Sequence, residues 1–261
     1  MSAVLADRFD TAVALATEAA RLALRMRPAS GVAAGTLKGP QNWLTEADVA
    51  VERLLSERLA ARYPADGFQG EEGGRTRAGT LRWVVDPIDG TANFMRGGRR
   101  FCVSLGCLEG DLPLLGVIVA PALDETYAAC AGMGASLNGT AIRAAETSEL
   151  TRAVVELGWS RRRPTDEFTG FAGRIIAAGA APRLSGSGTL GLAEVAAGRI
   201  DAYVELHINA WDVAAALAVL SEAGAVVSPF MQSGGAVKGN PILAAAPGIA
   251  EELSAVTGIA L

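Results

Sequence analysis

A single histidine in 261 residues removes most chemistry that rests on imidazole. A Ser-His-Asp triad would have to be built on His207 alone, and no G-x-S-x-G nucleophile elbow accompanies it. Three cysteines, Cys102, Cys107 and Cys130, form no C-x-x-C pair, so neither a zinc site nor a redox dithiol is written here. Their odd number argues against a disulfide framework; small buried thiols are expected, with Cys102 and Cys107 on opposite faces of one strand by parity. Positive charge is scarce as well. Lys and Arg number 23 against 28 Asp and Glu, a net charge of −5, and no basic stripe is present, which argues against a nucleic-acid partner. Long apolar runs are missing: the longest, Val213 to Leu220, stops at Ser221-Glu222, far short of the ~20 residues that cross a bilayer. Asp7, Arg8, Asp10 and Glu18 interrupt the N-terminal apolar pattern and exclude a signal-peptide core there. The expectation is a soluble, cytoplasmic protein without a membrane partner.

What the chain does have is apolar bulk, 50% of its residues, in one large domain or two smaller ones. A fold of this size buries roughly 70–75% of its unfolded surface and needs no staples. Helical spacing predicts a helix over about 5–26 and a second from Thr45 to about Arg62, ended by Pro64 and Gly67. Residues 31–40 and the acidic stretch from Gln69 to Gly74 read as loops. Short apolar runs at Phe101 to Leu108, Leu114 to Ala120 and Thr126 to Cys130, with turns at Gly110-Asp111 and Pro121 to Asp124, predict an antiparallel meander. After about residue 146 strands and helices alternate, an α/β pattern, with a helix from Thr189 to Ala197 and another from Asp212 to Ala223.

The most informative stretch is Trp83-Val84-Val85-Asp86-Pro87-Ile88-Asp89-Gly90-Thr91-Ala92-Asn93-Phe94. An apolar strand delivers two carboxylates three positions apart; Pro87 removes a donor between them and predicts a turn, and Gly90 lets backbone approach a ligand. Hard anionic oxygens followed by free N–H groups suit Mg²⁺ and a phosphate side by side. Asp48, Glu71 and Asp212 are further acidic candidates. Each also has a structural explanation: Thr45-Glu46-Ala47-Asp48 is a capping box, Glu71 lies in a turn, and Asp212 can cap the helix it begins.

Taken in order, Leu44-Thr45-Glu46-Ala47-Asp48, Gly70-Glu71-Glu72, Asp86 to Phe94, and Trp211-Asp212 with Ala223-Gly224 resemble the inositol monophosphatase family of Mg²⁺-dependent, lithium-sensitive phosphatases, over about residues 5–260. The resemblance implies a layered αβαβα sandwich of the sugar-phosphatase type. Residues 1–145 would form an α+β half with most metal ligands, and 146–261 an α/β half with Asp212 and the substrate side. It implies two or three Mg²⁺ ions per site: Glu71, Asp86 and the Ile88 carbonyl at one, and Asp86, Asp89 and Asp212 at another. Gly90 and Thr91 would receive phosphate through their N–H groups, and Thr91 and Asp48 would pair to orient and deprotonate the attacking water. It also implies a homodimer and a small phosphate ester as substrate, with an inositol or other polyol monophosphate ahead of histidinol phosphate and sugar or nucleotide bisphosphates.

Departures from the family pattern concern the substrate. Asn42 stands where an Asp is usual, Lys38 matches a basic residue near the metals, and Glu205 falls on a carboxylate that binds a sugar hydroxyl. Trp159 and Leu190 replace smaller residues on the substrate side, and Asp89 also borders it. Arg96, Arg99 and Arg100 follow the phosphate corner, so one of them is expected to meet a second anion. Arg161-Arg162-Arg163 reads as a solvated face. A different class of function is written in Gly186-Ser187-Gly188-Thr189-Leu190-Gly191, a G-x-G-x-x-G match to a dinucleotide-binding oxidoreductase. It lies deep in the chain, and Asp201 and Glu205 come too early for the ribose-binding acid.

Overall fold

The computed structural model describes residues 3–28, 35–39 and 42–261. Two helices form one outer layer: α1 (Ala3–Met26) and α2 (Glu46–Arg62). Between them lies a small hairpin, β1 (Thr36–Gly39) with β2 (Asn42–Leu44). The predicted capping box starts α2: the Thr45 N–H donates to Asp48 Oδ2 at 2.7 Å, and the Asp48 N–H donates to Thr45 Oγ1 at 3.4 Å. The buried apolar face of α2 repeats every four residues, Ala47, Val51, Leu55 and Leu59, and carries Asp48 and Glu52 inward with it. Alanines 12, 16, 19, 20 and 23 form the buried face of α1, and both helices pack on Trp83, Val85, Leu105 and Val117 of the sheet below.

That sheet has eight strands: β3 (Gly67–Gly70), β4 (Gly74–Arg77), β5 (Leu81–Asp89), β6 (Cys102–Glu109), β7 (Leu112–Ala120), β8 (Glu125–Cys130), β9 (Ala135–Leu137) and β10 (Thr140–Ile142). Short helix α3 (Thr91–Met95) follows β5. The spatial order is β10-β9-β8-β7-β6-β5-β3-β4. β6, β7 and β8 form the expected meander, which β5 extends on one side and β9 and β10 on the other; β3 runs parallel to β5, so the sheet is mixed. Gln69 and Gly70, expected in a loop, belong to β3, because pairing with the interior strand β5 absorbs them and leaves only 71–73 as the turn. Cys102 and Cys107 join different apolar clusters on the two faces, and all three thiols are buried and free.

The remaining elements are β11 (Val154–Leu157), α4 (Thr165–Ala177), β12 (Ala181–Arg183), α5 (Gly188–Ala196), β13 (Ala202–Ile208), α6 (Ala210–Glu222), β14 (Val226–Val227), α7 (Gly235–Lys238), β15 (Asn240–Ala245) and α8 (Ala250–Thr257). Their strands make a second sheet of order β12-β11-β13-β15-β14. Helices α5 and α6 lie between the two sheets, sharing one apolar cluster with Val84, Ile118 and Tyr127 on one side and Tyr203, Ile242 and Ala244 on the other. Phe171 and Ile175 of α4 and Leu253 of α8 cover the outer face of the second sheet. Five layers result: helices, sheet, helices, sheet, helices. The three-residue strands β9, β10 and β12 are too short for an alternating pattern to announce them.

Glycine places α6. Gly106 of β6 and Gly116 of β7 are directly paired, and both meet the helix backbone. A β-carbon on Gly106 would lie 2.8 Å from the Ala215 nitrogen, and one on Gly116 would lie 2.7 Å from the Ala215 carbonyl carbon and overlap its oxygen. Only a pair of residues without side chains lets the helix sit this low, and the N-terminal turn of α6 carries Asp212.

Candidate active site

Strand β5 runs through the Asp-Pro-Ile-Asp corner. Asp86 pairs with Ser104 and Asp89 with Cys102, three steps on one strand against two on the other, so the predicted turn is a β-bulge inside the sheet. Pro87 sits in this bulge, where its missing N–H leaves no ladder bond broken. The Ile88 N–H turns back to Asp86 Oδ1 at 3.0 Å. Gly90 then takes φ of +84°, and a β-carbon there would come 2.7 Å from the Arg100 carbonyl oxygen. Thr91 opens α3 and its hydroxyl donates to the Ile88 carbonyl at 2.9 Å. The Asn93 amide donates to the Arg100 and Ser185 carbonyls, both at 2.9 Å, tying the corner to the chain before α5.

Asp212 is the third residue of α6 and closes a capping box with Asn209, whose N–H donates to Asp212 Oδ2 at 3.0 Å. This places one oxygen each of Asp86, Asp89 and Asp212 within 4.8 Å of one another. Burial and mutual repulsion are severe. Burial, then the charges of Glu71, Asp212 and Asp89, hold the Asp86 carboxyl well above the usual range. Asp89 is pushed up to about 6 by burial and by Asp212, against hydrogen bonds that favour its charge, and burial raises Asp212 also. A cluster of this kind is unstable as three bare anions, and its hard oxygen donors are those a small divalent cation prefers.

Asp89 is held by the glycine-rich turn before α5. The Ser187 hydroxyl and the Thr189 N–H donate to its Oδ2, the latter at 3.1 Å, and the Gly188 N–H donates to Oδ1 at 3.3 Å. The donors that a dinucleotide fingerprint would offer to pyrophosphate are directed at a carboxylate of the protein itself, which removes the oxidoreductase reading of this G-x-G-x-x-G. Ser187, Gly188 and Thr189 are site residues that sequence reasoning missed, because their acceptor lies a hundred positions away.

Glu71 follows β3 beside the cluster, fixed through its N–H to the Val85 carbonyl at 3.1 Å. Its loop is gripped by Glu52 of α2, whose carboxylate accepts from the N–H groups of Glu72 at 2.8 Å and Gly73 at 2.7 Å. Glu52 was legible only as an acid one turn after Asp48 on an apolar face. Asp48 is both cap and candidate base. Its Oδ2 accepts from the Thr45 N–H and hydroxyl, at 2.7 and 2.6 Å, while its Oδ1 is buried with no hydrogen-bond partner. Burial pushes this carboxyl up to about 6. Asp48 and Thr91 make no direct hydrogen bond among the described residues: each is engaged locally, with Thr45 and with Ile88.

On the substrate side, Glu205 of β13 is buried, accepts from the Tyr203 hydroxyl at 2.6 Å and is pushed up to about 8 by burial and by the charges of Asp212 and Asp89. Trp159 is 46% exposed in the segment after β11. Leu190 requires correction: it is 1% exposed on the inner side of α5, within the apolar cluster between the sheets, and presents no surface to a substrate. The three arginines after Phe94 also go elsewhere. Arg96 donates to the Ala92 carbonyl, Arg99 donates to the Ala122 carbonyl, and Arg100 pairs with Glu194 at 2.6 Å and lies 3.9 Å from Glu156. Arg183 binds the same two glutamates, so the charge of Arg100 is matched within the protein. The side chains of Lys38 and Asn42 lie outside the described residues. His207 makes no triad; its Nε2 donates to the Lys238 carbonyl at 3.0 Å.

A sequence profile of the inositol monophosphatase family matches residues 5–257. The chain is 38% identical over 200 residues to inositol monophosphatase 2 of Solanum lycopersicum, covering 73% of this chain and 76% of that one. It is also 38% identical over 193 residues to the fructose-1,6-bisphosphatase/inositol-1-monophosphatase of Thermotoga maritima, covering 74% and 73%. The solved structure of a Thermotoga maritima IMPase superposes with a TM-score of 0.85 at 31% identity, covering 97% of each chain. With this fold and this carboxylate cluster, the chain belongs to the inositol monophosphatase family and is a phosphatase.

Proposed function

We propose that this protein hydrolyses the phosphate monoester of a small polyol or sugar, inositol monophosphate first among them, with Mg²⁺ as its cofactor. The observation that carries the reading is the trio of buried Asp86 and Asp89 with half-buried Asp212, whose oxygens lie within 4.8 Å of one another, beside the Gly90–Thr91 corner. In this reading Glu71, Asp86 and the Ile88 carbonyl hold one cation and Asp86, Asp89 and Asp212 another. Bound Mg²⁺ supplies neutralisation of the phosphate dianion and polarisation of the reacting oxygens.

The protein's own groups do the rest. The N–H groups of Gly90 and Thr91, at a helix start where backbone donors lack intrahelical acceptors, orient the phosphate. Asp48 Oδ1, buried and unpartnered, takes the proton of the attacking water, and the Thr91 hydroxyl fixes that water's position. The Thr45 hydroxyl and N–H keep the Asp48 carboxyl from turning away. Glu205 faces the departing alcohol and binds its hydroxyl groups. A phosphate-release screen over inositol, hexose, histidinol and nucleotide phosphates, with Mg²⁺, with chelator and with added Li⁺, tests this. Release that requires Mg²⁺ and falls with Li⁺ is the expected result; release unaffected by chelation, or none from any ester, overturns it.

A further inference from the structure

Strand β13 carries Tyr203 and Glu205 two positions apart, so both side chains leave the same face of the second sheet. The Tyr203 hydroxyl donates to Glu205 Oε2 at 2.6 Å, and both residues are buried. Glycines from three places clear the space around this pair. A β-carbon on Gly191 of α5 would lie 2.6 Å from the Tyr203 ring, and one on Gly188, which opens α5, would lie 3.0 Å from its hydroxyl. A β-carbon on Gly158, just after β11, would overlap both that hydroxyl and Glu205 Oε2. Gly158 is fixed there by its N–H, which donates to the Val204 carbonyl at 2.9 Å. Gly188 is also a residue whose N–H donates to Asp89 Oδ1. The phenol tip therefore sits between the turn that holds Asp89 and the carboxylate on the alcohol side.

Apolar packing alone does not account for this residue. Phenylalanine would fill the same slot, whereas a buried hydroxyl must find a partner, and the one partner of the Tyr203 hydroxyl among the described residues is Glu205. Glu205 in turn has Oε2 engaged by Tyr203, while its Oε1 makes no hydrogen bond among the described residues. A glutamate side chain has several rotatable bonds, and a carboxylate left free would present either oxygen in many orientations, each ordered only at an entropic cost when substrate arrives. We propose that Tyr203 is a positioning residue for substrate recognition: by holding Glu205 Oε2 it commits the carboxylate to a single acceptor, Oε1, for a hydroxyl of the departing alcohol. This rests on the phosphatase reading above, in which Glu205 meets that alcohol. The phenol touches no reacting atom, so its effect belongs to binding of the alcohol and not to the chemical step.

Steady-state phosphate release at saturating Mg²⁺ tests this with two esters: inositol 1-phosphate, and phenyl phosphate, whose alcohol offers no further hydroxyl. Wild type, Tyr203→Phe, Glu205→Ala, the double variant and Tyr127→Phe are compared. Tyr203→Phe should raise KM for inositol 1-phosphate about 3- to 10-fold, the worth of about one hydrogen bond, with kcat within about 2-fold. Its KM for phenyl phosphate should change by less than about 2-fold, since no hydroxyl contact is lost. Adding Tyr203→Phe to Glu205→Ala should cause no further loss on inositol 1-phosphate, because a residue that acts through another has nothing left to act on. Tyr127→Phe removes a different buried tyrosine hydroxyl, bonded to Glu125 at 2.9 Å, and should leave both KM values unchanged. Equal losses on both esters, no rise in KM, or a further loss in the double variant would overturn the proposal and leave the phosphatase reading standing. So would a wild-type KM for inositol 1-phosphate in Glu205→Ala, or wild-type release from phenyl phosphate alone. A wild-type enzyme inert with Mg²⁺ on both esters would bring down both.

Discussion

The Thr189 hydroxyl donates to the Asp212 carbonyl oxygen at 2.7 Å, joining the first turn of α5 to the first turn of α6. The same residue's N–H reaches Asp89 at 3.1 Å. One threonine therefore ties together two carboxylate residues that lie 123 positions apart in the chain, and the neighbouring Ser187 adds a hydroxyl to the Asp89 side. The trio at the centre of the site is held in part by the turn that opens α5.

Ser187→Ala should weaken Mg²⁺ binding without abolishing catalysis. The hydroxyl favours the charged form of Asp89, whose pKa is about 6, so its loss raises that pKa further and lets protons compete with the cation. Half-saturating Mg²⁺ should rise about 3- to 10-fold at pH 6.5, the worth of about one hydrogen bond, and rise less at pH 8. Magnesium titrations of activity and of thermal stability at both pH values check this. An unchanged titration would mean that the backbone N–H groups of Gly188 and Thr189 suffice.

Asp48→Asn should leave the fold intact and remove the base. The asparagine carbonyl can still accept from Thr45, so Tm should move by only a few degrees, whereas loss of a general base costs about 10² to 10⁴ in kcat. In the wild type, the carboxyl with pKa about 6 must be ionised to take a proton, so kcat should fall as pH drops through 6. The variant's residual rate should lack that acid limb. A variant with full activity would assign Asp48 to helix capping alone.

Stability without metal should fall as pH rises. Asp48 and Asp89 near 6 and Glu205 near 8 lie above their ordinary 3.8 and 4.5, so the folded state binds protons more tightly than the unfolded chain. Their contribution is full below about pH 4 and lost as pH passes through 6 and then 8. The chelated protein should therefore have a lower Tm at pH 8.5 than at pH 5. Added Mg²⁺ should raise Tm more at pH 8 than at pH 5.5, because binding removes the repulsion that deprotonation creates. Glu205→Gln should flatten the limb above pH 7. A chelated protein whose Tm climbs steadily from pH 5 to 8.5 contradicts this account.

How much of the site was legible depended on whether partners lie close in the chain. Asp86 to Asn93 is contiguous, and its proline and glycine carry their own conformational meaning, so the corner is readable before any fold is known. The bulge was not, since it exists only relative to Ser104 and Cys102 on the next strand. Leu190 occupies a substrate-side position by resemblance, yet α5 turns it into the core. Arg100 stands beside the corner in sequence, and only folding supplies the glutamates that neutralise it. Arg161-Arg162-Arg163, read as a solvated face, is exposed in the fold. Periodicity gave the first helices, the meander and the α/β alternation, and the resemblance gave the layering, but the seat of α6 depended on Gly106 and Gly116, two ordinary strand glycines until β6 and β7 are paired.

Gly116→Ala should act on the site from its far side. The added methyl would overlap the Ala215 carbonyl oxygen, a backbone atom that cannot swing away, so α6 must lift from the sheet. Overpacking of this kind costs about 1–3 kcal/mol, enough to lower Tm by several degrees. Because Asp212 rides on the first turn of the same helix, the displacement should also separate it from Asp86 and Asp89 and raise half-saturating Mg²⁺. Gly110→Ala is the control, since Gly110 has a positive φ of 59° but open space around it, so it should cost stability without altering Mg²⁺ dependence. Thermal melts with and without Mg²⁺ for both variants distinguish a general loss of stability from a moved helix. A Gly116→Ala protein that melts earlier yet keeps the wild-type Mg²⁺ titration would show that the sheet yields and α6 does not.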